Sequence, residues 1–395
     1  MSDYFLLFMA LLLFVAAVVG EDYVLKLIYL FAGVFLVGHW WSQKALKAVT
    51  IRRVFTRRIF FGEKVTVKLD ITNQGWLPVV WLQIHESLHI ELVVPNFYRY
   101  VFSLGPKESR HLEYTLTGSK RGYYRIGPLV VSSGDILGMV RDGVKRQAQE
   151  EYLTVYPKII PLARVALPSR SPLGTLRHTY PIFEDPTRVL SKREYVAGDS
   201  LRRIDWKASA SSGRLQVKLF EPSIALETAI FLNLNSNEYD IRSVFDSTEL
   251  GIVIAASLAN WITAQRQAVG LFTNGMDPLQ NDSLLSIPPR QGRGHLMRIL
   301  DILARVETTE TDPFIHLLQQ NSVSLAWGTT LILITNKVDD PFFEGLFQIR
   351  RNGFNIVLVL SGRIRGYQSI QGRARHFGFP VYRISKERDL ELWQQ

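Results

Sequence analysis

The sequence predicts a multi-domain chain: a transmembrane helical hairpin, then an antiparallel β-sandwich, then an α/β doubly wound domain. Three observations predict it. Two apolar runs occupy the first forty or so residues, a two-residue alternation follows, and the C-terminal half alternates apolar strand runs with amphipathic helix patterns. A chain of 395 residues suits two or three such domains rather than one. The expected limits are 1–45 for the two transmembrane helices, 50–160 for the β-sandwich-like domain, 161–190 for a linker and 191–395 for the α/β part.

Tyr4 to Val19 is an unbroken apolar run, Gly20, Glu21 and Asp22 interrupt it, and Tyr23 to Trp41 is the second. At about 1.5 Å per residue each run just spans a hydrocarbon core of roughly 30 Å. Lys26 lies one turn into the second run, where its stem can carry the charge to the interface. Trp40 and Trp41 stand at the far end, as an aromatic belt would. Lys44, Lys47, Arg52, Arg53, Arg57 and Arg58 follow, so the positive-inside rule places that flank, the soluble body and the N-terminus in the cytoplasm. A cleaved signal peptide is the competing reading, but the first five residues carry Asp3 and no Lys or Arg. The expected location is the inner (plasma) membrane, crossed twice. Mean hydropathy is +0.05, and most of the apolar excess behind it lies in this segment.

The chain has no cysteine, which excludes disulfides, thiolate catalysis and cysteine-held metals. The formal charge of +10 fits nucleic acid, anionic lipid or an acidic protein. Much of the excess lies beside the membrane segment, which favours lipid and topology. No run mixes dense Lys/Arg with aromatic residues as single-strand binders do, so no nucleic-acid partner is expected.

Between 50 and 160, Val65, Val67, Leu69 and Ile71 alternate with Thr66, Lys68, Asp70 and Thr72, the mark of a half-buried strand. Further strands are expected at Trp76 to His85, Leu112 to Leu116, Tyr123 to Ile126, Leu129 to Ser132 and Tyr152 to Tyr156. Turn residues between them complete a sandwich pattern, and nothing in it is catalytic. Pro157 to Leu190 lacks sustained periodicity and reads as linker.

The densest cluster of special residues is Arg193, Glu194, Tyr195, Gly198, Asp199, Arg202, Arg203, Ile204, Asp205, Trp206 and Gly213, with Glu221 closing the next strand. Asp199 is placed to cap a short helix from Ser200, Gly213 to end it in a left-handed conformation, and Ile204 and Trp206 to anchor it. So many charges must pair if the site is dry. A structural ion-pair network and a ligand or partner site both fit.

The string REYVAGDSLRRIDWKASASSGRLQVKLFE resembles the signature of the domain-of-unknown-function-58 family of prokaryotic proteins. KRGYYRIGPLVVSSGDILGMV resembles the segment that precedes it in that family. The resemblance implies a von Willebrand factor A-like domain after the motif and association with MoxR-type AAA+ ATPases.

The residues support an α/β domain independently. Strands are expected at Thr228 to Leu232, Ala268 to Thr273, Thr330 to Thr335, Ile356 to Ser361 and Val381 to Ile384. The expected helices are Asp246 to Gln267 (opened by an Asp246/Glu249 capping box), Gly294 to Val306, Pro313 to Ala326, Pro341 to Arg351 and Tyr367 to Phe377. Ligands of such sheets bind at the carboxyl ends of the strands. The resemblance implies an Asp-x-Ser-x-Ser metal loop there, with a further Asp after a later strand. The matching positions are Asn233, Asn235, Asn237 and Asn336, none a carboxylate. Neutral amides hold a hard cation poorly, so no metal and no cofactor are expected, although Asp240, Asp339 and Asp340 lie near enough in sequence to supply a ligand. Asn residues that simply close turns are the plainer reading. Gly292-Arg293-Gly294 opens a helix and can hold an anion or simply end a loop.

No hydrolase, metalloprotease, P-loop or dinucleotide motif is present, and no catalytic residue is assigned. The leading expectation is a non-enzymatic, membrane-anchored scaffold or adaptor. A metal-dependent adhesion module and an enzyme using the Arg193–Asp205 cluster on an anionic substrate are the alternatives.

Overall fold

The computed structural model describes residues 7, 8, 10–14, 17, 22–89, 91–93, 99–134, 144–147, 150–162, 184–196, 199–222, 227–279, 285–364 and 366–393. They form two compact units, 1–158 with 303–305 and the remainder from 159.

The first unit opens with helix α1, Asp22–Lys47. Its stretch Leu25–Lys47 is long and apolar enough to cross a membrane. Tyr29, Leu30, Leu36 and Val37 are all exposed, so among the described residues no protein surface covers these four side chains. One such helix is described, and a two-helix hairpin is not. Of the first apolar run only 7, 8, 10–14 and 17 are described, all helical, and the rest lies outside the described residues. The last turn of α1 leaves the apolar regime. Ala45 and Leu46 are buried in the β-domain core, and Trp41 Nε1 donates to the Pro78 carbonyl at 3.0 Å. Trp41 therefore packs on the β domain rather than completing an aromatic belt, while Trp40 stays exposed beneath the Lys44 ammonium, 4.8 Å from its ring.

Among the described residues eleven strands follow: β1 Val49–Val54, β2 Arg58–Phe60, β3 Lys64–Asn73, β4 Val79–Glu86, β5 Leu92–Val93, β6 Arg99–Leu104, β7 Ser109–Gly118, β8 Gly122–Ile126, β9 Leu129–Ser133, β10 Val144–Gln147 and β11 Glu151–Tyr156. They form two four-stranded antiparallel sheets, β1-β3-β7-β5 and β10-β9-β4-β6. The alternation in β3 works as the sequence implies: Val65, Val67, Leu69 and Ile71 are buried with Leu82 and Ile84 of β4 in one core. The purely antiparallel expectation is corrected by a third sheet, β2-β11-β8, in which β2 runs parallel to β11. β2 is only three residues long, too short to carry a readable alternation.

Inside this unit Arg53 is not a surface topogenic charge. Its side chain, 6% exposed, is ion-paired to Glu86, whose side chain is 0% exposed. Tyr114 Oη donates to Glu86 Oε2 at 2.6 Å. Burial pushes the Glu86 carboxyl above its usual range, against the pull of Arg53 and Tyr114.

The second unit carries a two-stranded ribbon, β12 Glu184–Glu194 with β13 Gln216–Pro222. β12 therefore begins inside the segment expected to be linker. Two register shifts between Asp185 and Ser191 explain why no clean alternation marks it. Residues 163–183 of that linker lie outside the described residues.

The main sheet comprises β14 Glu227–Leu232, β15 Ala268–Thr273, β16 Leu285–Arg290, β17 Thr330–Thr335, β18 Asn355–Ser361 and β19 Val381–Ile384, in the order β16-β15-β14-β17-β18-β19. All neighbours run parallel except the edge strand β16. The helices are α3 Val244–Ala264, α4 Arg293–Arg305, α5 Phe314–Ser322, α6 Asp340–Arg351, α7 Tyr367–Phe377 and α8 Glu387–Glu391, with the short α2 Trp206–Ser212 between the ribbon strands. Every residue of β15 and β17 is buried, as a parallel sheet covered on both faces requires. Phe231 stacks on Phe272 at 4.8 Å and joins Phe314, Phe342 and Phe343 in the core on one face.

The α3 capping box is corrected. The helix starts at Val244, and Ser243 holds the cap without a side-chain hydrogen bond. An Asp240 turn sets this earlier start: its carboxylate accepts from Arg242 N at 3.0 Å and its carbonyl from Ser243 N at 2.9 Å.

His295, buried in α4, faces the Val269 carbonyl through Nε2 at 2.9 Å, so Nε2 is the protonated, donating nitrogen. Burial pushes its pKa below the usual 6.5. A histidine depressed in the folded state stabilises it fully above the unfolded pKa, and that contribution is lost as pH falls through 6.5 towards the folded value. The melting temperature should therefore fall between about pH 7.5 and pH 5.5, near the ordinary histidine pKa. It should fall less in His295→Gln, which keeps a donor and cannot charge. Scanning calorimetry across that range checks it.

Candidate functional site

Two places concentrate polar side chains. The first is the segment joining β12 to β13. Tyr195 N donates to the Leu215 carbonyl and Asp205 N to the Gln216 carbonyl, both at 2.8 Å, so this excursion is pinned to the ribbon at two points. Between them a turn closes Val196 to Asp199 and one 3-10 turn spans Leu201–Arg203. Ile204 bridges to Val217, and both are buried.

The charges pair locally. Arg193 grips Asp199 with two hydrogen bonds, at 2.8 and 2.6 Å. Lys192 meets Asp205 at 2.7 Å and Arg214 meets Glu194 at 2.7 Å. Asp199 also accepts from Val196 N at 3.0 Å. It closes this turn instead of capping a helix, because the fork of Arg193 claims both of its oxygens. The cap belongs to Asp205, which accepts from Ala208 N at 3.1 Å at the start of α2. Gly213 ends α2 in the left-handed region, φ +68°, as expected.

The guanidinium of Arg193 and the Val196 amide hold Asp199 below the usual carboxylate range, and the Lys192 ammonium and Ala208 amide do the same for Asp205. Both contribute stability above about pH 3.8, lost on further acidification. Asp205→Ala should lose the cap, read as several-fold faster amide exchange across α2, while Asp205→Asn keeps most of it.

Trp206 is not an anchor: it is 69% exposed, as is Leu201 at 66%. Gly198 and the side chains of Arg202 and Glu221 lie outside the described residues, while the backbone of Glu221 pairs with Asp185.

The second place is the carboxyl edge of the main sheet. The chain moves from β14 to β15 on one side and later to β17 on the other, so the strand order reverses beside β14. Asn233 follows β14 there, 0% exposed. Its Nδ2 donates to Glu238 Oε2 at 2.6 Å and Thr335 Oγ1 at 3.0 Å. Its Oδ1 accepts from Asn235 N at 3.0 Å and Asn274 Nδ2 at 3.2 Å. Asn235 accepts from Asn237 N at 3.1 Å and donates to the carbonyls of Thr311 and Asp312 at 2.8 and 3.2 Å. Asn336 donates to the Ser361 carbonyl at 2.5 Å, so it serves β18. Asn237 enters the network through its backbone.

Tyr239, fully enclosed, donates to the Asn233 carbonyl at 2.6 Å, and burial drives its hydroxyl pKa upward. Glu238 also accepts from Phe314 N at 3.2 Å, the first residue of α5. Of the nearby carboxylates, Asp339 caps α6 through Phe342 N at 3.0 Å and Asp340 pairs with Arg373 at 2.5 Å. Among the described residues no three His, Cys, Asp or Glu side chains converge as a metal set.

Beside this network lies a cleft of about 280 Å³ lined by Asn274, Thr309, Glu310, Asp312, His316 and Gln320, among others. Gly292, at φ +109°, caps α4 with no side-chain hydrogen bond.

Sequence reasoning found Asn233 and Asn235 but missed Asn274, Glu238 and Tyr239. Glu238 and Tyr239 lie in the same Asn-Ser-Asn-Glu-Tyr run and were within reach. Asn274 carries only a weak signal, an Asn directly after a buried strand.

Over 276 residues the chain is 25% identical to the uncharacterized protein YeaD of Bacillus subtilis (strain 168). The alignment takes in 66% of this chain and 63% of that protein, so the chain spans under two thirds of the relative's length. Among solved structures, an aerotolerance-related membrane protein from Bacteroides fragilis is 12% identical with a TM-score of 0.31, over 40% of this chain and 91% of that one. A CARDB domain from Pyrococcus furiosus is 17% identical with a TM-score of 0.21, over 27% and 91%. Residues 191–325, which begin at the ribbon motif and run through α5, match the family described as protein of unknown function DUF58.

Proposed function

We propose that the chain is a non-enzymatic, membrane-anchored scaffold or adaptor whose α/β unit is von Willebrand A-like and engages a protein partner, a MoxR-type AAA+ ATPase. The observation that carries this reading is that Asn233, at the sheet's carboxyl edge, is satisfied by the chain's own groups. Asn233 spends both amide hydrogens and its carbonyl oxygen on four protein partners. A site that worked on a small ligand needs groups held for that ligand; the Asn233 amide is held by the chain itself. The order β16-β15-β14-β17-β18-β19, with an antiparallel edge, supports the A-like assignment.

A two-pass anchor with cytoplasmic domains completes the proposal. Phe8 meets Phe31 edge-on at 5.8 Å, which supports a first helix running beside α1. The exposed cations Arg52, Arg57 and Arg58 after α1 favour the cytoplasmic side. Crosslinking in native membranes followed by mass spectrometry tests the partner. Recovery of an AAA+ ATPase is expected, and repeated recovery of none sinks the adaptor reading. Fusions at the C-terminus test topology: green fluorescent protein should fluoresce and alkaline phosphatase should stay inactive.

A further inference from the structure

The excursion from β12 to β13 places apolar side chains in water among cations. Val196 is 61% exposed, Leu201 66% and Trp206 69%. The local fold accounts for this. Ile204 takes the inward position on Val217, and the two pins at Tyr195 and Asp205 hold the flanking turns against the ribbon. Leu201 and Trp206, three residues before and two after Ile204, are left outside. Apolar side chains grouped within one short segment and rimmed by polar residues mark a surface for a membrane or a partner.

The charge around them is one-sided. From Lys192 to Lys218 there are seven Lys or Arg against three Asp or Glu. All three acids hold a cation, Asp199 with Arg193, Asp205 with Lys192 and Glu194 with Arg214, and the segment keeps a net positive charge. Lys207, next to Trp206, is exposed.

We propose that this face docks on an anionic lipid surface, with Trp206 and Leu201 entering the boundary between headgroups and acyl chains and the cations facing phosphates. The chemistry of the patch selects that occupant. Indole rings favour the membrane interface, and clustered Lys/Arg favour anionic leaflets. The inference rests on the membrane-anchored reading of Leu25–Lys47, which keeps a bilayer at high effective concentration, so a face too weak to bind membranes alone still engages.

The absence of cysteine from the chain makes the test clean. Leu201→Cys, labelled with an environment-sensitive fluorophore, is placed in the full chain. The chain is reconstituted into nanodiscs of phosphatidylcholine alone or with added phosphatidylglycerol. Ile241→Cys, 89% exposed in the same unit, is the reference, and Trp206→Cys is the second reporter should Leu201→Cys fold poorly. The expected result is a blue shift and a several-fold intensity gain at position 201 in anionic discs, small in neutral discs, reversed by high salt and absent at position 241. Equal emission at 201 and 241 in both discs overturns the proposal. So does a shift seen only in native membrane vesicles and never in protein-free discs, which assigns the face to a protein. Failure of the chain to enter discs overturns the anchor itself, a result distinct from reconstitution without a shift.

Discussion

Arg53→Met should destabilise the β-rich unit by about 3–5 kcal/mol at neutral pH, the usual cost of removing one partner from a buried ion pair. The Glu86 side chain is 0% exposed and keeps only the Tyr114 hydroxyl, at 2.6 Å, once the guanidinium is gone. The pH dependence separates this from a simple packing loss. Burial already raises the Glu86 carboxyl above 4.5 in the folded protein, and losing Arg53 raises it further. A raised carboxyl contributes stability that is complete below its unfolded pKa and lost as pH rises through the folded one. The deficit of Arg53→Met should therefore be largest near pH 7.5 and shrink towards about pH 4.5, the unfolded glutamate range. Hydrogen exchange of β4 and β7 amides reads this unit separately from the rest. Arg53→Met combined with Glu86→Leu should recover most of the loss, because two apolar side chains need no compensation. A deficit that does not change with pH, or a double variant as weak as the single one, would show that packing rather than charge dominates.

Asn233→Asp should destabilise the α/β unit by about 3 kcal/mol, the upper end of the cost of leaving buried polar partners unsatisfied. The substitution replaces the amide that donates to Glu238 at 2.6 Å and Thr335 at 3.0 Å by an oxygen. Two carboxylates that close cannot both ionise. The variant should then respond to magnesium or calcium: millimolar metal should raise its melting temperature by several degrees relative to chelator, with little change in the unaltered protein. A cation between the two carboxylates would supply the charge that the amide hydrogens supply now. An unaltered protein that gains as much as the variant would mean that the neutral amides hold metal after all.

Both results turn on residues that sequence reading located without assigning their part. Arg53 was legible as one of six cations after an apolar helix, and composition treats six such cations alike. Only the pairing of β1 with β3 and of β4 with β9 brings Glu86 beneath it. Asn233 was legible as an amide directly after a buried strand. Its partners Thr335, Asn274 and Glu238 arrive from three separate places in the chain.

The sequence by itself determined the apolar helix and the buried strands of the α/β sheet, whose limits at β15, β17 and β19 match the apolar runs. Two-sided burial forces a continuous run of apolar residues, and a lipid-crossing helix does the same at greater length. It determined β3 and its neighbours through alternation. It did not show β16, whose Pro288 and Pro289 read as a loop until an edge position beside β15 accommodates them. It did not show β2, paired across the chain to β11, or the start of β12. Tertiary structure alone decided which tryptophan is covered: Trp41 packs on the β domain and Trp206 stands in solvent. The physical reason is common to these cases. Periodicity records how many faces of an element are buried, whereas the partner that buries them is set by residues distant in the chain, and a charge, an amide or an indole takes its role from that partner.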